Sequence, residues 1–151
     1  MEKIFNSGEM NVIINRLSNL RPDAQPKWGK MNVAQMLAHL NIAYETIFEP
    51  EKYPRPNGLM KYVMRWFVKP VVTGPENYKR NSKTASFFIV SPQQDFEKQR
   101  SNLIANIHKV LDLGEVHFHN KESHSFGKLT AAEWSNMLFK HLDHHLNQFG
   151  V

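Results

Sequence analysis

The sequence predicts an all-α protein, a four-helix bundle filling a single domain over residues 1–151, with a long connection between the second and third helices. Four segments repeat apolar residues at steps of three and four, the period of a helix with one buried face. Most of these segments carry recognisable caps and stops. Strand-type alternation is nearly absent, so the apolar faces must bury against one another.

The first helix follows Ser7: Met10, Ile13, Ile14, Leu17 and Leu20 form one stripe, and Pro22 ends it. The second follows Asn32, a good N-cap, with Gln35 three residues on to complete a capping box. Val33, Met36, Leu37, Leu40, Tyr44 and Ile47 line its face, and Pro50 closes it. The third is expected to start at Ser91, with Pro92 at the first helical position and Gln94 completing a box. Phe96, Leu103, Ile107, Val110 and Leu111 are its core positions, and Gly114 is its expected stop. The fourth begins at Thr130 with Glu133 as box partner, runs through Trp134, Leu138, Leu142 and Phe149, and ends at Gly150.

The connection from Glu51 to Val90 carries prolines 54, 56, 70 and 75 and glycines 58 and 74. A short helix is expected over Leu59–Val68, with Thr84–Val90 extended. Glu115–Phe126 reads as a loop with an alternating piece at Val116–His119.

Composition limits the function. Hydrophobic residues make up 41% and charged residues 22%, which excludes a disordered chain. The absence of cysteine removes disulfides, thiolate metal sites and cysteine nucleophiles. The segment Met1-Glu2-Lys3-Ile4-Phe5-Asn6-Ser7-Gly8 has no signal-peptide pattern. Leu59–Val72 is interrupted by Lys61, Arg65, Lys69 and Pro70 and is too short to span a bilayer. A cytoplasmic location is expected. The net charge is +5. Its excess falls among the prolines and glycines of segment 51–90 without a dense block, so a solvated basic face is expected rather than a nucleic-acid or membrane surface. Trp66 and Phe67 are expected to pack onto the bundle.

The eight histidines carry the chemical signal. At about 100° per residue, His141 and His145 fall inside the apolar arc of the fourth helix, about 40° apart. An i, i+4 pair of this kind can aim two ring nitrogens at one ion. His39, at the edge of the second helix's stripe, is the best third ligand, because bundles build metal sites from facing helices. The competing reading is three hydrogen-bonded core histidines. His144 is a candidate neighbour of the ligands or a surface residue. His124 stands before the fourth helix, either at the mouth of the site or ordering its loop. His117 and His119 would share a side only if extended.

Met36-Leu37-Ala38-His39-Leu40 and His141-Leu142-Asp143-His144-His145 together resemble the DinB-like superfamily of metal-binding four-helix bundles. The nearest likeness is to an uncharacterised DinB-like subfamily, through Trp28-Gly29-Lys30-Met31, Phe126-Gly127-Lys128-Leu129-Thr130, the run from Lys140 to Phe149, and the closing Gln148-Phe149-Gly150. The likeness covers both ends of the chain and does not reach residues 51–90. It implies that His39, His141 and His145 hold one divalent ion, Zn, Ni or Fe. Some relatives are transferases or isomerases that use a low-molecular-weight thiol such as bacillithiol, mycothiol or glutathione. Homodimerisation is an expectation from the same resemblance.

The functional reading that follows is a metal-dependent enzyme acting with such a thiol or with activated water. The alternative is a non-catalytic metal-binding or sensor module. Neither Glu45, Glu133 nor Asp143 is placed to serve as a dedicated base.

Overall fold

The computed structural model describes residues 2–151. It is mostly helical, with one small two-stranded sheet. A 3-10 turn (Lys3–Phe5) leads into α1 (Ser7–Asn19), followed by α2 (Val33–Phe48). A helical stretch inside the long connection comprises α3 (Gly58–Val63), a π turn (Met64–Val68) and α4 (Lys69–Thr73). Then come α5 (Phe96–Phe118), the hairpin β1 (Lys121–Ser123) and β2 (Gly127–Leu129), and α6 (Ala131–Gln148). No described helix is long and apolar enough to cross a membrane.

Both capping boxes form as the sequence specifies. The Asn32 side chain accepts from Gln35 N while Gln35 reaches back to Asn32 N, and Thr130 and Glu133 do the same at the start of α6. Each box satisfies two amides that the first helical turn leaves unpaired.

The apolar stripes meet in one core. Met10, Ile13 and Leu17 of α1 join Met36, Leu37, Leu40 and Tyr44 of α2, Leu103, Ile107 and Val110 of α5, and Trp134, Leu138, Leu142 and Leu146 of α6. Each such side chain withdrawn from water contributes about 1.5–3 kcal/mol. That contribution is what holds α2 and α6, the two histidine-bearing helices, in register.

The connection is strapped to α6 by polar contacts. The buried Lys140 ammonium donates to the carbonyls of Val71 (2.8 Å) and Gly74 (2.7 Å), and Asn136 Nδ2 donates to Thr73 O (3.0 Å). Lys69 pairs with Glu133 at 2.8 Å. These bonds bring Tyr78 against α6, where its ring lies 4.5 Å from Lys140 Nζ.

Several expectations change. The third long helix starts at Phe96, because the Asp95 carboxylate, not Ser91, accepts from the open helical turn at Lys98 N. Gln94 does reach Ser91, donating to its carbonyl and hydroxyl at 3.2 Å, but this closes a loop ahead of the helix. Gly114 breaks the helix with φ 71°, yet helical turns resume to Phe118. His117 and His119 therefore do not alternate on a strand; residues two apart on a helical turn diverge by about 200°. Ser86–Phe88 is a 3-10 turn rather than extended chain. The hairpin replaces part of the expected loop, with Lys121 opposite Leu129 and Ser123 opposite Gly127. Trp66 and Phe67 do not pack onto the body of the protein; they are 73% and 74% exposed.

Candidate metal centre

His39 of α2 and His141 and His145 of α6 come together as the sequence spacing predicts. One ring nitrogen from each lies within 4.8 Å of the others. His39 Nε2 and His141 Nε2 are 3.0 Å apart, and the three ring centroids are separated by 4.8–5.0 Å. An ion with bonds of about 2.0–2.1 Å sets neighbouring nitrogens roughly 3 Å apart, so the closest pair already has ligand spacing. His39 and His145 are buried, and His141 keeps a partly exposed edge.

Two of the rings are held from behind in the tautomer a ligand needs. The carbonyl of Phe88 stands 3.1 Å from His39 Nδ1 and can only accept, so that nitrogen carries the proton. His145 Nδ1 lies 2.8 Å from Gln148 Oε1. Gln148 Nε2 donates to Trp28 O at 2.7 Å, which orients the amide so that its oxygen faces the imidazole. Both histidines thereby turn an Nε2 lone pair toward the centre, the arrangement that fixes metal-ligating imidazoles.

The supporting contact explains Trp28-Gly29. Gly29 takes φ 82°, and a Cβ there would sit 2.7 Å from Gln148 Nε2. Lys27 N donates to Gln148 O at 2.7 Å, which docks the same segment on the end of α6. The segment before α2 thus positions His145, a candidate ligand on α6.

Electrostatics also suit a cation site of neutral ligands. Burial lowers the basicity of all three imidazoles: His39 is pushed below the usual histidine range, His141 well below it and His145 to about 3. Mutual repulsion adds to this, since a proton on His39 opposes one on either partner. At neutral pH all three are uncharged, with His141 Nε2–H donating to His39 Nε2 at 3.0 Å, a proton that metal binding would release.

Around this cluster, His144 packs edgewise on His145 at 5.1 Å and touches the rings of Trp28 and Tyr78, both at 5.7 Å. It is outside the ligand cluster and forms part of its rim. His124 is not in the cluster. Its Nε2–H donates to Tyr53 O at 3.2 Å, its ring meets Phe87 edge-on, and Phe87 packs at a tilt against Phe88. It therefore orders the loop that carries the Phe88 carbonyl. The three carboxylates considered from the sequence are committed elsewhere: Asp143 pairs with Arg16 at 2.7 Å, Glu45 accepts from the Tyr53 hydroxyl, and Glu133 is occupied by Thr130 and Lys69.

Sequence reading missed Gln148, Phe88, Tyr78 and the Trp28 carbonyl as parts of the site. Gln148 had a signal, since i, i+3 from His145 places it on the same helical face. The Phe88 and Trp28 contacts use main-chain oxygens, which side-chain patterns do not reveal.

The fold and the site define a helical protein with a three-histidine cluster, built from two helices and suited to one divalent cation. The chain belongs to the family described as "Protein of unknown function (DUF1569)", whose model matches residues 4–150. No curated protein and no solved structure matches the chain.

Proposed function

We propose that the protein is a divalent-metal protein in which His39, His141 and His145 hold one Zn, Ni or Fe ion, and that it is a metal-dependent enzyme of transferase or isomerase type. The observation that carries the reading is the pair of second contacts, from Phe88 O and from Gln148 Oε1, that turn two Nε2 lone pairs on the same point as His141. Without metal the 3.0 Å contact is a hydrogen bond from His141 Nε2–H to His39 Nε2, and an ion would take the place of that proton. A donor set of three imidazoles suits borderline metals and leaves coordination positions for a small molecule.

Such an ion supplies Lewis acidity, lowering the pKa of a thiol or water brought to it. The chain's own part is to hold three neutral nitrogens, to keep carboxylates out, and to rim the site with Tyr78, His144 and Phe88. The partly exposed edge of His141 gives the open side. A low-molecular-weight thiol is the proposed co-substrate, following the DinB-like resemblance, and α1, α2, α5 and α6 are proposed to form the DinB-like four-helix bundle. The commitment of Asp143, Glu45 and Glu133 to other partners favours one second reading, a metal-binding or sensor module without turnover.

Elemental analysis of untagged wild type and of His141→Ala, purified without chelator, tests the reading. Near one equivalent of metal in wild type and none in the variant is expected. No metal in wild type and no uptake on titration with Zn, Ni or Fe would overturn it.

A further inference from the structure

The helical stretch 58–73 is turned inside out relative to an ordinary surface helix. Its outward residues are apolar: Leu59 is 79% exposed, Met60 54%, Tyr62 60%, Trp66 73%, Phe67 74% and Val71 63%. Soluble surfaces rarely gather large side chains in this way without a partner. The stretch touches α6 mainly through its C-terminal end, by the Lys140, Asn136 and Lys69 contacts already described. The remainder stands out from the body as a ridge.

Charge says what covers it. Residues 51–90 hold eight lysines and arginines against two acids, Glu51 and Glu76, a net of +6 in a chain of net +5. The whole positive excess therefore lies in the segment that carries the ridge. Residues 57–74 contain no acid at all. Lys61 and Arg65 alternate with the exposed apolar residues and take part in none of the ion pairs among the described residues. Beside the ridge runs an open groove of about 710 Å³ whose charged lining is Arg65, Lys69 and Lys128 against the single acid Glu122.

We infer that this ridge docks on an anionic lipid surface, with Trp66, Phe67 and Leu59 entering the headgroup–acyl boundary and Lys61 and Arg65 meeting lipid phosphates and carboxylates. A helix with Trp, Phe and Leu beside Lys and Arg, and no acid, has the composition of an interfacial anchor. A second copy of the chain fits less well, because two faces of this charge repel each other. The contact is peripheral, since no described helix is able to span a bilayer. Its affinity is the sum of two terms: about tenfold for each large apolar side chain buried and about fivefold for each cation at the surface.

The test is co-sedimentation of the full chain with phosphatidylcholine vesicles, with and without phosphatidylserine, for wild type and for a Trp66→Ser, Phe67→Ser double variant. The two positions are exposed, so an unchanged melting curve will show that the variant is folded. Wild type should bind the phosphatidylserine vesicles, and the double variant should lose at least tenfold. Raising salt from about 0.1 to about 0.5 M should weaken wild-type binding severalfold. Three results would each overturn the inference: no binding to phosphatidylserine vesicles, equal binding to neutral vesicles, or a wild-type dimer by light scattering that the double substitution converts to monomer.

Discussion

Replacing Gln148 by leucine separates the support of the metal centre from its ligands. Gln148 touches no ion position; it accepts from His145 Nδ1–H at 2.8 Å and donates to Trp28 O at 2.7 Å, and it is 3% exposed. Leucine keeps the bulk and removes both bonds. The His145 N–H is then buried without an acceptor, which costs about 1–3 kcal/mol, and the imidazole is free to rotate or change tautomer. Loss of such a supporting partner typically weakens metal binding by about 10–100-fold. Affinity is measured by competition with a chromophoric chelator and stability by urea unfolding of chelator-treated protein. Gln148→Glu is the informative companion. Its carboxylate accepts from Nδ1–H, so metal affinity should return to within about threefold of wild type. It faces the Trp28 carbonyl with no proton to give, so the stability loss should persist. A leucine variant that binds metal as tightly as wild type would refute the idea that this contact prepares the ligand.

Three further outcomes follow from the same geometry. Because burial depresses the three imidazoles, the native metal-free protein binds fewer protons than the unfolded chain once pH drops below the ordinary histidine value of about 6.5. Stability is then full above that pH and falls as pH drops toward 3, by up to about 1.4 kcal/mol per pH unit for each histidine kept neutral. Urea midpoints of chelator-treated wild type and His145→Gln should show a shallower slope in the variant, and equal slopes would contradict the assignment. Gly29→Ala should lower stability by about 1–3 kcal/mol and weaken metal binding, since Gly29 combines φ 82° with a 2.7 Å approach to Gln148. Gly58→Ala meets nothing within 4 Å at φ 50° and should show the backbone cost alone, with unchanged metal affinity. Tyr44→Phe removes a buried hydroxyl that has no hydrogen-bond partner among the described residues, and should raise the unfolding free energy by up to about 1 kcal/mol. A clear loss of stability in calorimetry would show that this hydroxyl is satisfied.

The long helices were legible because their signals are local. The boxes at Asn32–Gln35 and Thr130–Glu133 need only residues three apart, and the core stripes need only the helical period. His141 and His145 were legible for the same reason, and His39 because it borders a stripe that had to face theirs. What escaped was set by context. Ser91, Pro92 and Gln94 have the chemistry of a helix start, but Asp95 competes as a cap and lies next to the first buried turn. The hairpin strands, Lys-Glu-Ser and Gly-Lys-Leu, are too short and polar to show alternation. They form because Ser123 Oγ accepts from Phe126 N and donates to Gly127 O across the turn. The π turn at Met64–Val68 precedes Pro70, whose ring removes an amide and crowds the preceding turn. Trp66 and Phe67 have the composition of core residues, and only the three-dimensional arrangement shows that the core is already filled without them.

The pairing of His39 with His141 joins positions 102 residues apart in the chain. An ion held between them acts as a cross-link closing a loop of that length, and for such a loop the entropy removed from the unfolded chain is worth about 4–5 kcal/mol. The cluster cannot assemble from a local fragment: it needs α2 and α6, distant in the chain, packed directly against each other. An ion there would bind only where α2 and α6 are docked, so its occupancy would report on their packing.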